Sequence, residues 1–159
     1  MLNVRFITLG TLKESYLRDA AAEYEKRLGA FCKCEVIQLK EERLSDDPSD
    51  SEIKSALDRE SDKIFAQIPP RAYVIAMCVE GKQLTSPELA QKIDEIMSRT
   101  SDVCFIIGSS FGLADSVKQR ADLRMSISKL TFPHQLMRVV LLEAVYRAFN
   151  IQKGTKYHK

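Results

Sequence analysis

Short apolar runs that alternate with helical patterns constrain the fold of this chain more than any other feature. Five runs read as strands, at residues 3–9, 33–39, 72–79, 103–107 and 123–128. Helical patterns follow them, at residues 14–28, 49–67, from 85 onward, 113–121 and 133–151. Such alternation is typical of a mostly parallel sheet covered by helices on both faces. We therefore predict one α/β domain over residues 1–159.

Local signals mark several helix ends. Gly29 follows the first helical pattern, where glycine commonly adopts a left-handed cap. Ser49 and Glu52 have the spacing of a capping box at the start of the second helix. Thr85 or Ser86 is the expected cap of the third helix. The "EGK" of residues 80–82 is expected to form a turn after the third strand.

Ligands of parallel sheets bind beyond the carboxyl ends of the strands. The loops there read "LGTLKE", "VEGK", "GSSFGL" and "SKLTFPH". "GSSFG" lacks both the dinucleotide and the Walker glycine patterns, so a plain tight turn explains its glycines equally well. "SKLTFPH" offers backbone polar groups and the apolar walls Leu130 and Phe132. That combination suits an adenine pocket, although a plain loop is the alternative.

The last helix is apolar around most of its circumference. Between residues 136 and 149 only Arg138, Glu143, Tyr146 and Arg147 interrupt the apolar residues, and they do not form one wide polar face. A helix of this kind must be buried on most sides. We predict a homodimer through this helix; the alternative is that the monomer fold itself buries it.

Charge is unevenly distributed, although the formal net charge is only +2. Residues 35–70 carry ten acids and five bases, whereas residues 123–159 carry seven bases and one acid. The basic C-terminal quarter is consistent with an RNA partner and equally with a solvated face. His158, beside Tyr157 and between two lysines, suits a nucleotide ligand, although charged chain ends are common.

Several function classes are not expected. No apolar run approaches the ~20 residues of a membrane span, and no cleavable signal layout is present, so we expect a cytoplasmic protein. Cys78 and Cys104 are predicted core thiols, and Cys32-x-Cys34 lacks further zinc ligands. His134 is expected to be structural. The sequence contains no Ser-His-Asp set and no paired carboxylates in a plausible loop, so hydrolysis is not expected. No metal is expected either.

Three stretches, "IIGSSFGL", "SKLTFPHQLMRVVLLEAVYRAF" and the terminal "YHK", resemble the RlmH family of SPOUT-type methyltransferases. "LGTLKESYL", "EYEKRL" and "EGK" extend the likeness over nearly the whole chain. The resemblance implies S-adenosylmethionine-dependent methylation of N3 of a pseudouridine in 23S ribosomal RNA, on the assembled ribosome. It also implies a SPOUT-type α/β fold with a C-terminal trefoil knot, and a homodimer whose site is composed across subunits.

The resemblance also implies site residues. Cofactor contacts fall on Met77, Gly108, Ile127, Ser128, Lys129, Leu130, Thr131 and Phe132. The family usually has Leu where Met77 stands and Gly where Ser109 stands, and Ser109 adds a side chain beside the expected ligand. The nucleotide is expected to meet Arg147, Tyr157 and His158. Their implied roles are electrostatic support for Arg147, stacking or hydrogen bonding for Tyr157, and proton transfer or nucleobase orientation for His158.

Three other functions stay open at this point. A SPOUT methyltransferase could act on another RNA such as tRNA. A non-catalytic ribosome-binding factor would also account for the basic C-terminus. A small-nucleotide enzyme of flavodoxin-like topology would require a flavin or phosphate turn, which the sequence lacks.

Overall fold

The computed structural model describes all 159 residues. The elements in chain order are β1 (Asn3–Leu9), α1 (Ser15–Leu28), β2 (Lys33–Leu39), α2 (Asp50–Phe65), β3 (Tyr73–Gln83), α3 (Ser86–Met97), β4 (Asp102–Ile107), α4 (Asp115–Arg120), β5 (Leu123–Ser126) and α5 (His134–Lys153). The strands form one sheet in the order β2-β1-β4-β3-β5, and every neighbouring pair is parallel. The α/β class with a parallel sheet is therefore confirmed.

Side chains of the central strands alternate between two hydrophobic clusters, one on each face of the sheet. Phe6 and Phe105 stack at 5.3 Å between ring centroids in the cluster that α1, α3 and α5 cover. Ile7 and Ile106 belong to the cluster that α2 and α4 cover. Because both faces are covered, successive residues of a strand are apolar, which is why these runs are nearly continuous in the sequence.

Helix α5 packs against α1 and α3 on one face of the sheet. Seven of its residues are buried within the single chain: Arg138, Leu141, Leu142, Val145, Ala148, Phe149 and Asn150. Burial in the monomer thus accounts for one side of this apolar helix. A second stripe at helical spacing stays partly accessible, and we call it the α5 stripe: Leu136, Val139, Val140 and Ala144. The predicted dimer stays a prediction.

Most of the predicted helix ends are confirmed, but the cap at Gly29 is wrong. Ser49 with Glu52 and Thr85 with Glu88 form reciprocal capping boxes. Gly29 has the right-handed φ of −58°, because the chain continues through further tight turns directly into β2. The left-handed glycine cap belongs to α5, where Gly154 has φ 70°.

The turn predicted at residues 80–82 is also wrong. Strand β3 continues to Gln83 and pairs with β5 on both sides of a register shift between Met77 and Lys82. A Cβ on Gly81 would lie 2.6 Å from the carbonyl carbon of Met125. Gly81 therefore permits a close approach of two backbones, a use of glycine that has no local signature.

None of the five helices combines the length and the apolar character that a membrane span requires. No three His, Cys, Asp or Glu side chains group together in a way that could hold a metal ion. All four cysteines are free. Cys104 is buried as predicted, and burial raises the pKa of its thiol to about 11.

Candidate active site

A cavity of about 670 Å³ opens beside residues 77–80 of β3 and at the carboxyl ends of β4 and β5. Its walls come from residues 77–80 at β3, residues 107–113 after β4, and residues 125–134 after β5 apart from Lys129. Two of the four loops expected from the topology therefore meet in one place, together with residues 77–80 of β3. The "LGTLKE" loop after β1 does not line the cavity, so that part of the expectation is wrong. The volume lies in the range of small-molecule sites.

The loop after β1 contacts helix α5 and does not line the cavity. Arg138 of α5 is buried and donates one hydrogen bond to the carbonyl oxygen of Gly10 at 2.9 Å and another to Gln38 at 2.8 Å. Burial lowers the pKa of this guanidinium. The loop is thus fixed against the ends of α5 and β2, away from the cavity.

The loop after β4 is a tight turn built on two glycines. The Gly112 N–H donates to the carbonyl of Ser109 at 2.9 Å, and Gly112 has φ +86°. A Cβ on Gly108 would collide with the carbonyl oxygen of Gly112. Gly108 can therefore carry no side chain while the turn keeps this shape, and the turn forms one wall of the cavity.

Ser109, the position where the resembled family usually has glycine, directs its hydroxyl at α2. Its Oγ donates to Glu60 Oε1 at 3.0 Å, and both residues are buried. Glu60 Oε2 also accepts the Glu42 N–H at 2.9 Å. Burial raises the pKa of the Glu60 carboxyl. The added hydroxyl is thus engaged in a structural contact behind the turn.

The loop after β5 is shaped by its own serines. Ser126 Oγ donates to the carbonyl of Ser128 at 2.8 Å, and Ser128 Oγ accepts the Leu130 N–H at 3.0 Å. Such local hydrogen bonds from side chains to the backbone order a loop that does not pair with a strand. Leu130 is 75% exposed beside Phe132, so the loop presents apolar side chains at the cavity.

Seven of the eight predicted cofactor residues line this cavity: Met77, Gly108, Ile127, Ser128, Leu130, Thr131 and Phe132. Lys129 does not; it lies exposed on the outer side of the same loop.

The loops expected at the ligand contain three further lining residues, Glu80, Phe111 and His134, to which no role there was assigned from the sequence, and Cys78 was assigned to the core. Cys78 is half-buried at the cavity, so its assignment as a core thiol is wrong, and His134 also lies at the cavity wall. Glu80 accepts a 2.6 Å hydrogen bond from Lys118, which lowers the pKa of its carboxyl. The only available signal for Cys78 and Glu80 was their place at the end of a strand.

Arg147, Tyr157 and His158 lie together at the other end of α5. The Arg147 guanidinium lies 4.7 Å from the centroid of the Tyr157 ring, and its Nη1 is 3.4 Å from His158 Nδ1. Tyr157 also packs edge-on against Tyr146, with 4.8 Å between the ring centroids. The three residues predicted to meet the nucleotide thus form one cluster.

The C-terminal tail, residues 154–159, turns back onto α5. Gly154 adopts the left-handed conformation, and Thr155 Oγ1 donates to Asn150 Oδ1 at 2.6 Å. The Tyr157 hydroxyl donates a hydrogen bond to Glu143, and this bond raises the pKa of Tyr157 more than any other contact does. The Tyr157 phenol therefore keeps its proton at neutral pH and acts as a hydrogen-bond donor.

The two groups of predicted site residues are not brought together within one chain. His134 lies at the cavity and begins α5, and Arg147 follows it by 13 residues on the same helix. At 1.5 Å per residue the two positions are about 20 Å apart along the helix axis.

Comparison with known proteins gives a consistent likeness. A family model described as "Predicted SPOUT methyltransferase" matches residues 2–158. A protein of Streptococcus thermophilus named ribosomal RNA large subunit methyltransferase H is 52% identical over 159 residues, which cover 99% of this chain and 100% of the relative. A protein of the same name from Bacillus pumilus is 49% identical with the same coverage.

Two solved structures share the fold at low identity. A probable methylase family protein from Haemophilus influenzae aligns with a TM-score of 0.57 and 13% identity, over 99% of this chain and 71% of the other. A tRNA methyltransferase from Aquifex aeolicus aligns with a TM-score of 0.52 and 16% identity, over 99% and 73%. At such identities the likeness concerns the fold alone.

Proposed function

From the premise that this chain belongs to the SPOUT methyltransferase family, we propose that it methylates N3 of a pseudouridine in 23S ribosomal RNA, using S-adenosylmethionine and acting on the assembled ribosome. The observation that carries the proposal is the match of about half of all residues, over the full length, with relatives named ribosomal RNA large subunit methyltransferase H.

The cavity fits the proposed cofactor. Its 670 Å³ and its mixture of apolar walls and backbone polar groups suit a nucleoside with a charged tail. Met77, Gly108, Ile127, Ser128 and residues 130–132 would hold it. When bound, S-adenosylmethionine supplies a methyl group already activated by its sulfonium. The protein therefore has to position the nucleotide, keep water out and handle one proton.

The geometry favours nucleobase orientation over proton removal for His158. Arginine has no acceptor, so the contact with Arg147 makes His158 Nδ1 the acceptor and leaves the proton of the neutral ring on Nε2. His158 then offers an N–H to a carbonyl oxygen of the base. The nearby Arg147 cation would stabilise the negative charge that develops as N3 loses its proton. Tyr157 would stack on the base or accept a hydrogen bond from it, since its own hydroxyl proton is donated to Glu143.

We further propose a homodimer as the way to unite the two groups of residues. The α5 stripe is apolar and partly accessible, and it begins beside the cavity at Leu136, which is 38% exposed. Two copies packed through this stripe about a two-fold axis, with their α5 helices antiparallel, would bring Arg147 of one copy toward the cavity of the other. This arrangement would compensate for the separation of about 20 Å within each chain.

The remaining features complete the proposal. Lys153, Lys156 and Lys159 would contact phosphates and make binding sensitive to salt. The likeness to the family further implies that the segment through β5 and α5 is threaded as a trefoil knot, one of the rare exceptions to unknotted connectivity. The reaction would take place in the cytoplasm, where ribosomes are.

The decisive experiment combines the purified protein, S-adenosylmethionine and ribosomes from a strain that lacks the gene. Mass mapping of the ribosomal RNA should reveal one new methyl-pseudouridine, and free tRNA should stay unmodified. If tRNA is methylated and ribosomes are not, the substrate is tRNA and the proposal for ribosomal RNA is wrong. If calorimetry detects no binding of S-adenosylmethionine, a non-catalytic ribosome-binding factor is favoured instead.

A further inference from the structure

Glu143 lies at the centre of the Arg147–Tyr157–His158 cluster, although neither composition nor the family likeness pointed to it. Its Oε1 accepts from Arg147 Nε, and Arg147 Nη2 also lies 2.7 Å from Oε1. Its Oε2 accepts from the Tyr157 hydroxyl at 2.7 Å. One carboxylate thus binds two of the three residues expected to meet the nucleotide, and Arg147 in turn contacts the third.

The two bonds reach across two parts of the chain. Arg147 is four residues further along α5, whereas Tyr157 lies in the tail beyond the turn at Gly154. Three other side-chain contacts hold the tail: Thr155 with Asn150, the Tyr157 N–H with Thr155, and Arg147 with His158. None of them involves the Tyr157 ring hydroxyl. Glu143 therefore supplies the hydrogen bond that fixes the position of the Tyr157 ring against α5.

The surroundings of this cluster are aromatic and cationic. Helix α1 contributes Tyr24 and Arg27, and the Arg27 guanidinium lies 5.9 Å from the centroid of the Tyr146 ring. Burial, followed by the influence of Glu143, raises the pKa of Tyr24. Apart from Glu143, no carboxylate hydrogen-bonds to any residue of the cluster. Glu143 is therefore the single carboxylate that Arg147 and Tyr157 share.

We propose that Glu143 is a positioning residue, which holds the tail in a productive shape by binding Arg147 and Tyr157 at once and so sets where His158 stands. This inference rests on the proposed function, because it assigns the tail to the substrate side of the site. Loss of the carboxylate would free both partners, and a displacement of about 1 Å at reacting groups costs on the order of 10²-fold in rate. Cofactor binding would not change, because Glu143 does not line the cavity.

The test compares Glu143→Gln and Glu143→Asp with wild type in steady-state methylation of ribosomes. We expect kcat to fall by about 10²-fold in Glu143→Gln while KM for S-adenosylmethionine stays the same. Glu143→Asp keeps the charge and should recover part of kcat. The matched control is Glu23→Gln, which removes a carboxylate from an i,i+4 arginine pair with an N–O distance of 3.0 Å on the neighbouring helix.

A second readout is independent of RNA and of turnover. The alkaline ultraviolet titration of Tyr157, isolated as the difference from Tyr157→Phe, should move to lower pH in Glu143→Gln, because a neutral amide replaces the anionic acceptor that raises the pKa of Tyr157. An unchanged midpoint, or an unchanged kcat in Glu143→Gln, would overturn the inference. A wild-type protein that leaves ribosomes unmethylated would instead contradict the proposed function, and the titration would still test the contact.

Discussion

Ser109 donates a 3.0 Å hydrogen bond from its hydroxyl to the buried carboxylate of Glu60. The bond joins the glycine turn after β4 to α2, across 49 residues of sequence. Since the same carboxylate also accepts the Glu42 N–H, three chain segments meet behind one wall of the cavity. The stability of this wall therefore depends on Glu60, which does not line the cavity, through its bond to Ser109, which does.

Removal of the Ser109 hydroxyl should destabilise the protein. In Ser109→Ala one buried oxygen of Glu60 loses its partner, and we expect the free energy of unfolding to fall by about 1–3 kcal/mol. Urea denaturation measures the change. Ser98→Ala, which removes an exposed hydroxyl bonded to a helix carbonyl, serves as control. In a Glu60→Ala background the cost of Ser109→Ala should largely vanish, and an equal cost in both backgrounds would contradict the coupling.

Gly108 should tolerate no side chain. In Gly108→Ala the new Cβ collides with the backbone of Gly112, so the turn must open and the cavity wall must move. We expect the affinity for S-adenosylmethionine to fall by at least about tenfold, equivalent to about 1.4 kcal/mol in calorimetry. Gly29→Ala is the control, because Gly29 is right-handed and distant from the cavity. Wild-type affinity in Gly108→Ala would show that the turn does not shape the site.

Mixed dimers should reveal whether the site is shared. Gly108→Ala impairs the cavity and His158→Ala impairs the tail, so each homodimer should be inactive in methylation of ribosomes. Random mixing of the two chains should restore about a quarter of the activity, because half of the dimers are mixed and each contains one complete site. Co-expressed chains with two different tags allow the mixed species to be purified. A mixed dimer without activity would argue against a site composed across subunits.

Stability should decline at alkaline pH because of Tyr157. Its pKa is higher in the folded protein than the ordinary value of 10.0. Above about pH 10 the native state therefore holds more protons than the unfolded state, and stability falls as pH rises. Melting temperatures from pH 8 to 11 should decline more steeply for wild type than for Tyr157→Phe. Tyr16→Phe, at a phenol exposed on α1, should keep the wild-type slope.

Local patterns were sufficient for the elements and for most of the cavity. The strand runs, the capping boxes at Ser49 and Thr85, and the loops after β4 and β5 depend on residues that are close in sequence. Gly29 and Gly81 were misread because their conformations depend on where the chain goes next. For Gly81 the deciding contact is the backbone of Met125, 44 residues later.

The sequence by itself determined the α/β class and the position of each element, and likeness to a family pointed to seven of the 22 residues that line the cavity. Periodicity and capping act over a few residues, so they can be read from the chain directly. Only the tertiary structure decided that Glu60 supports the glycine turn, that Glu143 holds Arg147 and Tyr157, and that about 20 Å of helix separates the tail from the cavity. These relationships join residues that come together only when the sheet and its helices have packed.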